Sequence, residues 1–170
     1  MPGVIETDRL VLRPWKIEDA EALLKYASDR RVADAGLWPV HKSIEDSLMV
    51  LEKMFIPCPM IYAIVLKETG EPVGSIGLVP MGKENYKASA SDREVGYWIG
   101  HAYWGRGLMT EALKAFVGCC KEDGTIESLV ITTTQTNAGS QGVAEKCGFE
   151  KVGDCCCDDV PSFAYRMVLW

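Results

Sequence analysis

The sequence predicts an α+β fold of about seven strands and about four helices, in a single domain spanning residues 1–170. Three observations carry this. Segments of strand period and helix period follow one another in the order β-α-α-β-β-β-α-β-α-β-β, with no internal repeat or low-complexity tract. At 170 residues and 48% hydrophobic composition, the chain is long enough for one well-buried core and too short for two ordinary domains. Finally, the stretch from Arg93 to Leu113, REVGYWIGHAYWGRGLMTEAL, runs from a β-like segment through a glycine-broken turn into a helix start.

After an opening strand, Ile17, Ala20, Leu23, Leu24 and Ala27 recur at helical spacing, with Glu18 and Asp19 where a helix N-terminus favours negative charge. A second helix opens on Ser43-Ile44-Glu45-Asp46, which resembles a capping box. It continues through Leu48, Leu51, Met54 and Phe55 until Pro57 and Pro59 stop it. Between the two, Asp34 to His41 reads as a loop rich in breakers and large apolar residues. IYAIVL and PVGSIGLV, joined by Glu68-Thr69-Gly70-Glu71, form a hairpin, and the polar stretch Gly82 to Asp92 reads as a mobile loop. The strand REVGYWI follows, with Val95, Tyr97 and Ile99 on one face, then a helix running from Thr110-Glu111-Ala112-Leu113 into AFVGCC. The strand SLVITTT, a short helix from about Ser140 to Cys147, and terminal strands around Lys151 to Cys156 and Phe163 to Leu169 complete the order.

The N-terminus carries no apolar run between a basic start and a small-residue cleavage site, and no uncharged stretch approaches membrane-spanning length. A soluble, cytoplasmic protein with no membrane partner is expected. Seven cysteines suit reduced thiols better than a disulfide framework, which needs an even number in a short chain. A net charge of −6 and a pI near 5.0 argue against nucleic-acid binding, which needs clustered Lys and Arg, and mildly favour a cationic amine as ligand. Cys155, Cys156 and Cys157 are consecutive, so on a strand they point to alternate faces and cannot wrap one tetrahedral metal. No metal site is expected; two of the three are read as small apolar groups.

In the Arg93–Leu113 stretch, Gly105 and Gly107 leave backbone N–H groups unobstructed by Cβ atoms just before the helix. A helix entered this way turns its unpaired N–H groups and the positive end of its dipole toward whatever lies over the turn, which favours a phosphate or pyrophosphate. A P-loop needs Gly-Lys-Ser/Thr at the helix start, where this chain has Gly107-Leu108-Met109. A dinucleotide fingerprint needs a third glycine where Thr110 sits and an acidic residue ending a following parallel strand. Neither fits.

The pattern resembles the GNAT acetyltransferase superfamily, and within it the RimJ/RimL-like branch that includes ribosomal-protein N-terminal acetyltransferases. Glu6-Thr7-Asp8-Arg9-Leu10-Val11-Leu12-Arg13-Pro14 looks like the branch's first strand. The likeness continues through Glu94-Val95-Gly96-Tyr97-Trp98, Trp104-Gly105-Arg106-Gly107, Asn137-Ala138-Gly139-Ser140 and Glu145-Lys146-Cys147-Gly148-Phe149. In the superfamily's pyrophosphate loop the first position is usually Gln or Arg and the last Gly or Ala; here those places hold Trp104 and Met109, and the branch itself commonly has the tryptophan. The resemblance implies a mixed sheet whose central strands splay apart to admit the pantetheine arm of acetyl-CoA.

It also implies site residues. Trp104, Gly105, Arg106, Gly107, Leu108, Met109 and Thr110 would hold the pyrophosphate, the backbone of Trp98 and Ile99 would bond the pantetheine arm, and Asn137 would contact the cosubstrate. Many members protonate the leaving thiolate with a tyrosine in the helix before the Gly-Phe pair, where this chain has Ala144; Ser140 takes the place facing the sulfur and can donate a hydrogen bond to it. Asn137 and Ser140 also suit a strand end and a helix cap. Glu94 is the candidate general base, one residue out of register with the superfamily's catalytic glutamate unless the strand carries a bulge. His101 reads as a solvated turn residue, and the Arg9 and Arg13 pair as structural. The implied function is acetyl transfer from acetyl-CoA to a primary amine, either a peptide N-terminal α-amine or a small molecule, by a monomer or homodimer. A non-catalytic acyl-CoA-binding or sensing module is the alternative.

Overall fold

The opening segment folds back on itself. In the computed structural model, which describes residues 2–170, Ile5–Glu6 (β1) pairs antiparallel with Leu10–Pro14 (β2). What reads as one strand is therefore a short hairpin, and among the described residues the sheet has eight strands rather than about seven. A 3-10 turn over Ile17–Asp19 leads into α1 (Ala20–Ala27), and Asp19 accepts from the Arg13 guanidinium at 2.8 and 2.9 Å and from the Lys16 amide at 2.9 Å. The stretch read as a linking loop begins in a helix instead: α2 (Arg30–Gly36), capped by the Asp29 carboxylate on the Arg31 amide and ended by Leu37 in the left-handed region at φ 58°. Its breakers and its seven residues give too little periodicity to betray it. Next, α3 (Ile44–Val50) starts on the Ser43–Asp46 capping box and continues as one wider π turn over Leu51–Phe55, stopping before Pro57 as expected.

The remaining elements are β3 (Ile61–Leu66), β4 (Pro72–Leu78), β5 (Asp92–Ile99), α4 (Leu108–Asp123), β6 (Ser128–Thr134), α5 (Ala138–Lys146), β7 (Glu150–Cys157) and β8 (Val160–Val168). The sheet order is β1-β2-β3-β4-β5-β6-β8-β7, antiparallel throughout except between β5 and β6. On one face, α4 lays the stripe Leu108, Met109, Ala112, Leu113, Phe116, Val117 and Cys120 over Leu10, Leu12, Ile64, Ile76, Val95, Ile99, Leu129 and Ile131. Each such fully buried Leu, Ile or Phe contributes roughly 1.5 to 3 kcal/mol relative to exposure. On the other face lies a smaller core of Trp15, Leu23, Leu51, Ala63 and Val65, with Trp38, Phe55 and Trp98 against it.

The parallel pairing positions the site. β5 and β6 meet only at Asp92↔Ser128, Arg93↔Leu129 and Glu94↔Val130. Beyond Glu94, β5 stays paired to β4 as far as Ile99, while β6 stays paired to β8 as far as Thr134. The two strands therefore part in the middle of the sheet, leaving facing edges with unpaired backbone groups.

Candidate active site

Three elements converge on this opening: the end of β5, the turn into α4, and the start of α5. The turn is built by two left-handed glycines, Gly105 at φ 71° and Gly107 at φ 74°, a conformation that costs a residue with a Cβ about 1 kcal/mol or more. Gly107 is also the N-cap of α4 and supplies no side chain to satisfy the helix's first N–H groups. Among the described residues, none of the six amides from Gly105 to Thr110 donates to a protein acceptor. Six free donors at the positive end of a 16-residue helix form a cradle for a polyanion. Leu108 and Met109 turn their side chains into the core, so Met109, in a place usually held by Gly or Ala, does not obstruct that cradle.

Arg9 braces the turn from below. Its Nη1 donates to the Arg106 carbonyl at 2.9 Å and its Nε to Glu111 at 2.7 Å. Glu111 lies in the first turn of α4, where its charge would repel an anion. Burial alone would push its pKa up, but donation from Thr7 and Arg9 holds it below the usual carboxylate range, and Arg9 balances its charge. The indole N–H of Trp104 donates to the Ile99 carbonyl at 2.9 Å, so this side chain ties the turn to β5. The Arg106 guanidinium lies over the Tyr103 ring at 5.5 Å, on an exposed residue beside the free amides.

Ladder alternation decides which backbone groups of β5 face the opening. Gly100 N donates to Val73 O and Val79 N to Glu94 O, so Glu94, Gly96, Trp98 and Gly100 bond β4, and Tyr97 and Ile99 turn the other way. This corrects one expectation. The Trp98 backbone is taken up by Ser75 of β4, and Tyr97 stands in its place; the Ile99 amide does face the opening. The Trp98 side chain goes to the opposite face, 6.4 Å from Trp15 and 5.9 Å from Trp38 between ring centroids. On β6, the buried Thr133 hydroxyl has no partner among the described residues.

Asn137 and Ser140 come together at the start of α5. Asn137 caps that helix, its Oδ1 accepting from Ser140 N at 3.1 Å, and its side-chain amide N–H groups have no protein acceptor among the described residues. The Ser140 hydroxyl lies 3.1 Å from the Tyr97 hydroxyl, which also donates to the Ser140 carbonyl at 3.2 Å. In the sequence, Tyr97 has a place on the Val95 and Ile99 face and in the Glu94–Trp98 motif, but no role of its own. Its phenolic oxygen on the strand face that meets α5 was the available signal.

Glu94 reaches the point where β5 and β6 part, and β5 carries no bulge, so it shares its face with Trp98 rather than with Tyr97. Its carboxylate accepts from Asn85 N at 2.5 Å, Asn85 Nδ2 at 3.0 Å and Thr132 Oγ1 at 2.5 Å. These three donors occupy most of its lone pairs and anchor residues 82–91 to β6. The same stretch is held again by Asp92, which accepts from the Ala88 and Ser89 amides. It is stitched at two points rather than free. His101 packs tilted against Trp104, 4.7 Å between ring centroids, while His41 is buried against Ser47 Oγ at 2.8 Å. Cys155 and Cys157 share a face of β7, Cys156 is exposed on the other, and no cluster that could hold a metal exists among the described residues.

The chain belongs to the acetyltransferase (GNAT) domain family, which its residues 9–150 match. Among curated relatives, an uncharacterised N-acetyltransferase, p20 of Bacillus licheniformis, is 30% identical over 115 residues, 65% of this chain and 62% of that protein. Among solved structures, a GNAT-family acetyltransferase from Bacillus anthracis superposes with a TM-score of 0.82 at 21% identity, covering 98% of both chains. The microcin C7 self-immunity acetyltransferase MccE, solved with acetyl-CoA and AMP, gives 0.82 at 22% identity over 99% of this chain and 97% of its own. The fold is that of GNAT structures, and the chain is an acetyltransferase.

Proposed function

We propose that the protein transfers an acetyl group from acetyl-CoA to a primary amine, and that the acceptor nitrogen is an α-amine of a peptide N-terminus or a small molecule with a similarly low amine pKa. The observation that carries the first half is the run of six free amides at the start of α4, beside an opening lined by unpaired backbone of β5 and β6. That run fits the pyrophosphate of acetyl-CoA, the opening fits its pantetheine arm, and Asn137 offers it a free amide. Acetyl-CoA supplies a thioester carbonyl open to nucleophilic attack. The C–N bond forms as C–S breaks, the electron pair leaves on sulfur, and the proton released by the amine passes to water. Ser140, at the N-terminus of α5, would donate a hydrogen bond to the leaving sulfur. The Glu6–Pro14 segment and the tryptophan before Gly105 support a place in the RimJ/RimL-like branch.

The acceptor follows from what Glu94 is doing. Held by three donors, it is a clamp more than a base poised over an amine. An amine that arrives partly deprotonated suits such a site. A lysine amine has a pKa of roughly 10.4 and an α-amine roughly 7.7 to 8.0, so near neutral pH the free-base fraction is some hundreds of times larger for the α-amine. In assays with matched peptides, α-amines are expected to be acetylated faster than lysine side chains, with rates rising with pH toward the acceptor's own pKa. A strong lysine preference would overturn the acceptor class. Acetyl-CoA binding without turnover on any amine would make the protein an acyl-CoA-binding module.

A further inference from the structure

The geometry points to Tyr97 as the residue that sets the direction of the Ser140 hydroxyl, and so as a positioning residue for stabilisation of the leaving sulfur. This rests on the proposed place of Ser140 beside the sulfur. Strand parity sends the Tyr97 side chain to the face that carries α5, and its backbone lines the opening between β5 and β6. Its hydroxyl lies 3.1 Å from Ser140 Oγ and 3.2 Å from Ser140 O, and among the described residues no other side chain bonds the Ser140 hydroxyl. Asn137 fixes the Ser140 backbone, so the hydroxyl rotor is the remaining freedom at this position.

A serine hydroxyl has one proton and two lone pairs. When Tyr97 donates to the Ser140 carbonyl, the Ser140 proton can rest on the phenol oxygen and points away from solvent. When Tyr97 donates to Ser140 Oγ instead, the serine proton is released to point out of the helix start. Negative charge appearing on sulfur favours the second order, because each bond in the chain phenol to serine to thiolate polarises the next. Burial pushes the phenol's pKa up, the Ser140 bond only partly offsets this, and Cys147 and Tyr165 add to the rise. Tyr97 therefore donates and does not give up its proton; the thiolate is protonated from water.

The test compares the full-length chain with Tyr97→Phe, which keeps the ring, with Ser140→Ala, and with the double variant. Steady-state kinetics should show kcat reduced about tenfold by Tyr97→Phe, one charge-assisted hydrogen bond in rate terms, with the KM for acetyl-CoA within about twofold. The double variant should be no slower than Ser140→Ala alone. A second readout needs no acceptor: thiolate absorbance of bound CoA, titrated with pH, should give a thiol pKa lower in the wild type than in either single variant. An unchanged kcat and thiol pKa in Tyr97→Phe would overturn the inference, as would the same loss from Tyr97→Phe in the Ser140→Ala background. Indifference of kcat and thiol pKa to Ser140→Ala would overturn the Ser140 assignment, and Tyr97 with it. A wild type that acetylates no amine yet shows the Tyr97-dependent thiol shift would sink the acceptor proposal and leave Tyr97 standing.

Discussion

The Glu94 carboxylate is held by three donors. A carboxylate on the strand beside the opening invites assignment as a general base, yet its side chain joins Asn85 to Thr132 across the point where β5 and β6 separate. Glu94→Gln would turn an N–H₂ toward at least one of these donors. The expected outcome is a loss of about 1 to 3 kcal/mol of stability, from losing at least one hydrogen bond to the buried Glu94 carboxylate, with only a modest fall in kcat on α-amine acceptors. Urea denaturation and steady-state kinetics on the same variant check both halves. Near-complete loss of activity at unchanged stability would restore Glu94 as the base. The glutamate itself was legible in the sequence, but its partners were not, because Asn85 and Thr132 lie 9 and 38 residues away and only the fold brings them together.

The turn into α4 was the most legible element, since two glycines ahead of an amphipathic run mark both a turn with unobstructed amides and the helix start. A Cβ at Gly105 would meet nothing within 4 Å, and one at Gly107 would meet only Arg9 Nη2 at 3.6 Å, so the space over the turn is open. Gly107→Val would fill that space and strain the cap. We expect acetyl-CoA to stabilise the wild type in thermal shift and its Kd to rise at least about tenfold in Gly107→Val, with the unliganded chain still folded. Equal Kd values would show that the pyrophosphate lies elsewhere. Arg9→Met tests the brace: it removes the guanidinium that balances the Glu111 charge in the first turn of α4, so acetyl-CoA affinity should fall several-fold. Restoring it with Glu111→Gln in the same chain would show that the cause is charge. Less legible was α2, because seven residues bounded by Asp29 and a left-handed Leu37 carry too little period.

At the scale of the molecule, the sheet is pinned at the base of its opening by Asp92. The carboxylate is fully buried and accepts from Ser128 Oγ at 2.5 Å, Arg166 Nε at 2.9 Å, Ala88 N at 2.7 Å and Ser89 N at 2.9 Å. Burial alone would push its pKa up; the hydrogen bonds from Ser128, Ser89, Arg166 and Ala88 outweigh that and hold it at about 2. The unfolded carboxyl titrates near 3.9, so acid protonates the unfolded chain first. The stability Asp92 contributes, about 2 kcal/mol, is complete above roughly pH 4 and is lost as pH falls toward 2. Urea midpoints measured between pH 5 and 2 should fall more steeply for the wild type than for Asp92→Asn, and parallel slopes would contradict this. By itself the sequence determined the α+β class, most element positions and the glycine turn, because apolar period, capping residues and glycine conformation act within a few residues. Only the tertiary structure decided which backbone groups line the opening, that Tyr97 meets Ser140, and that Glu94 and Asp92 are clamps. Ladder parity and hydrogen-bond partners depend on register between strands distant in sequence, and a shift of one residue would reverse them all.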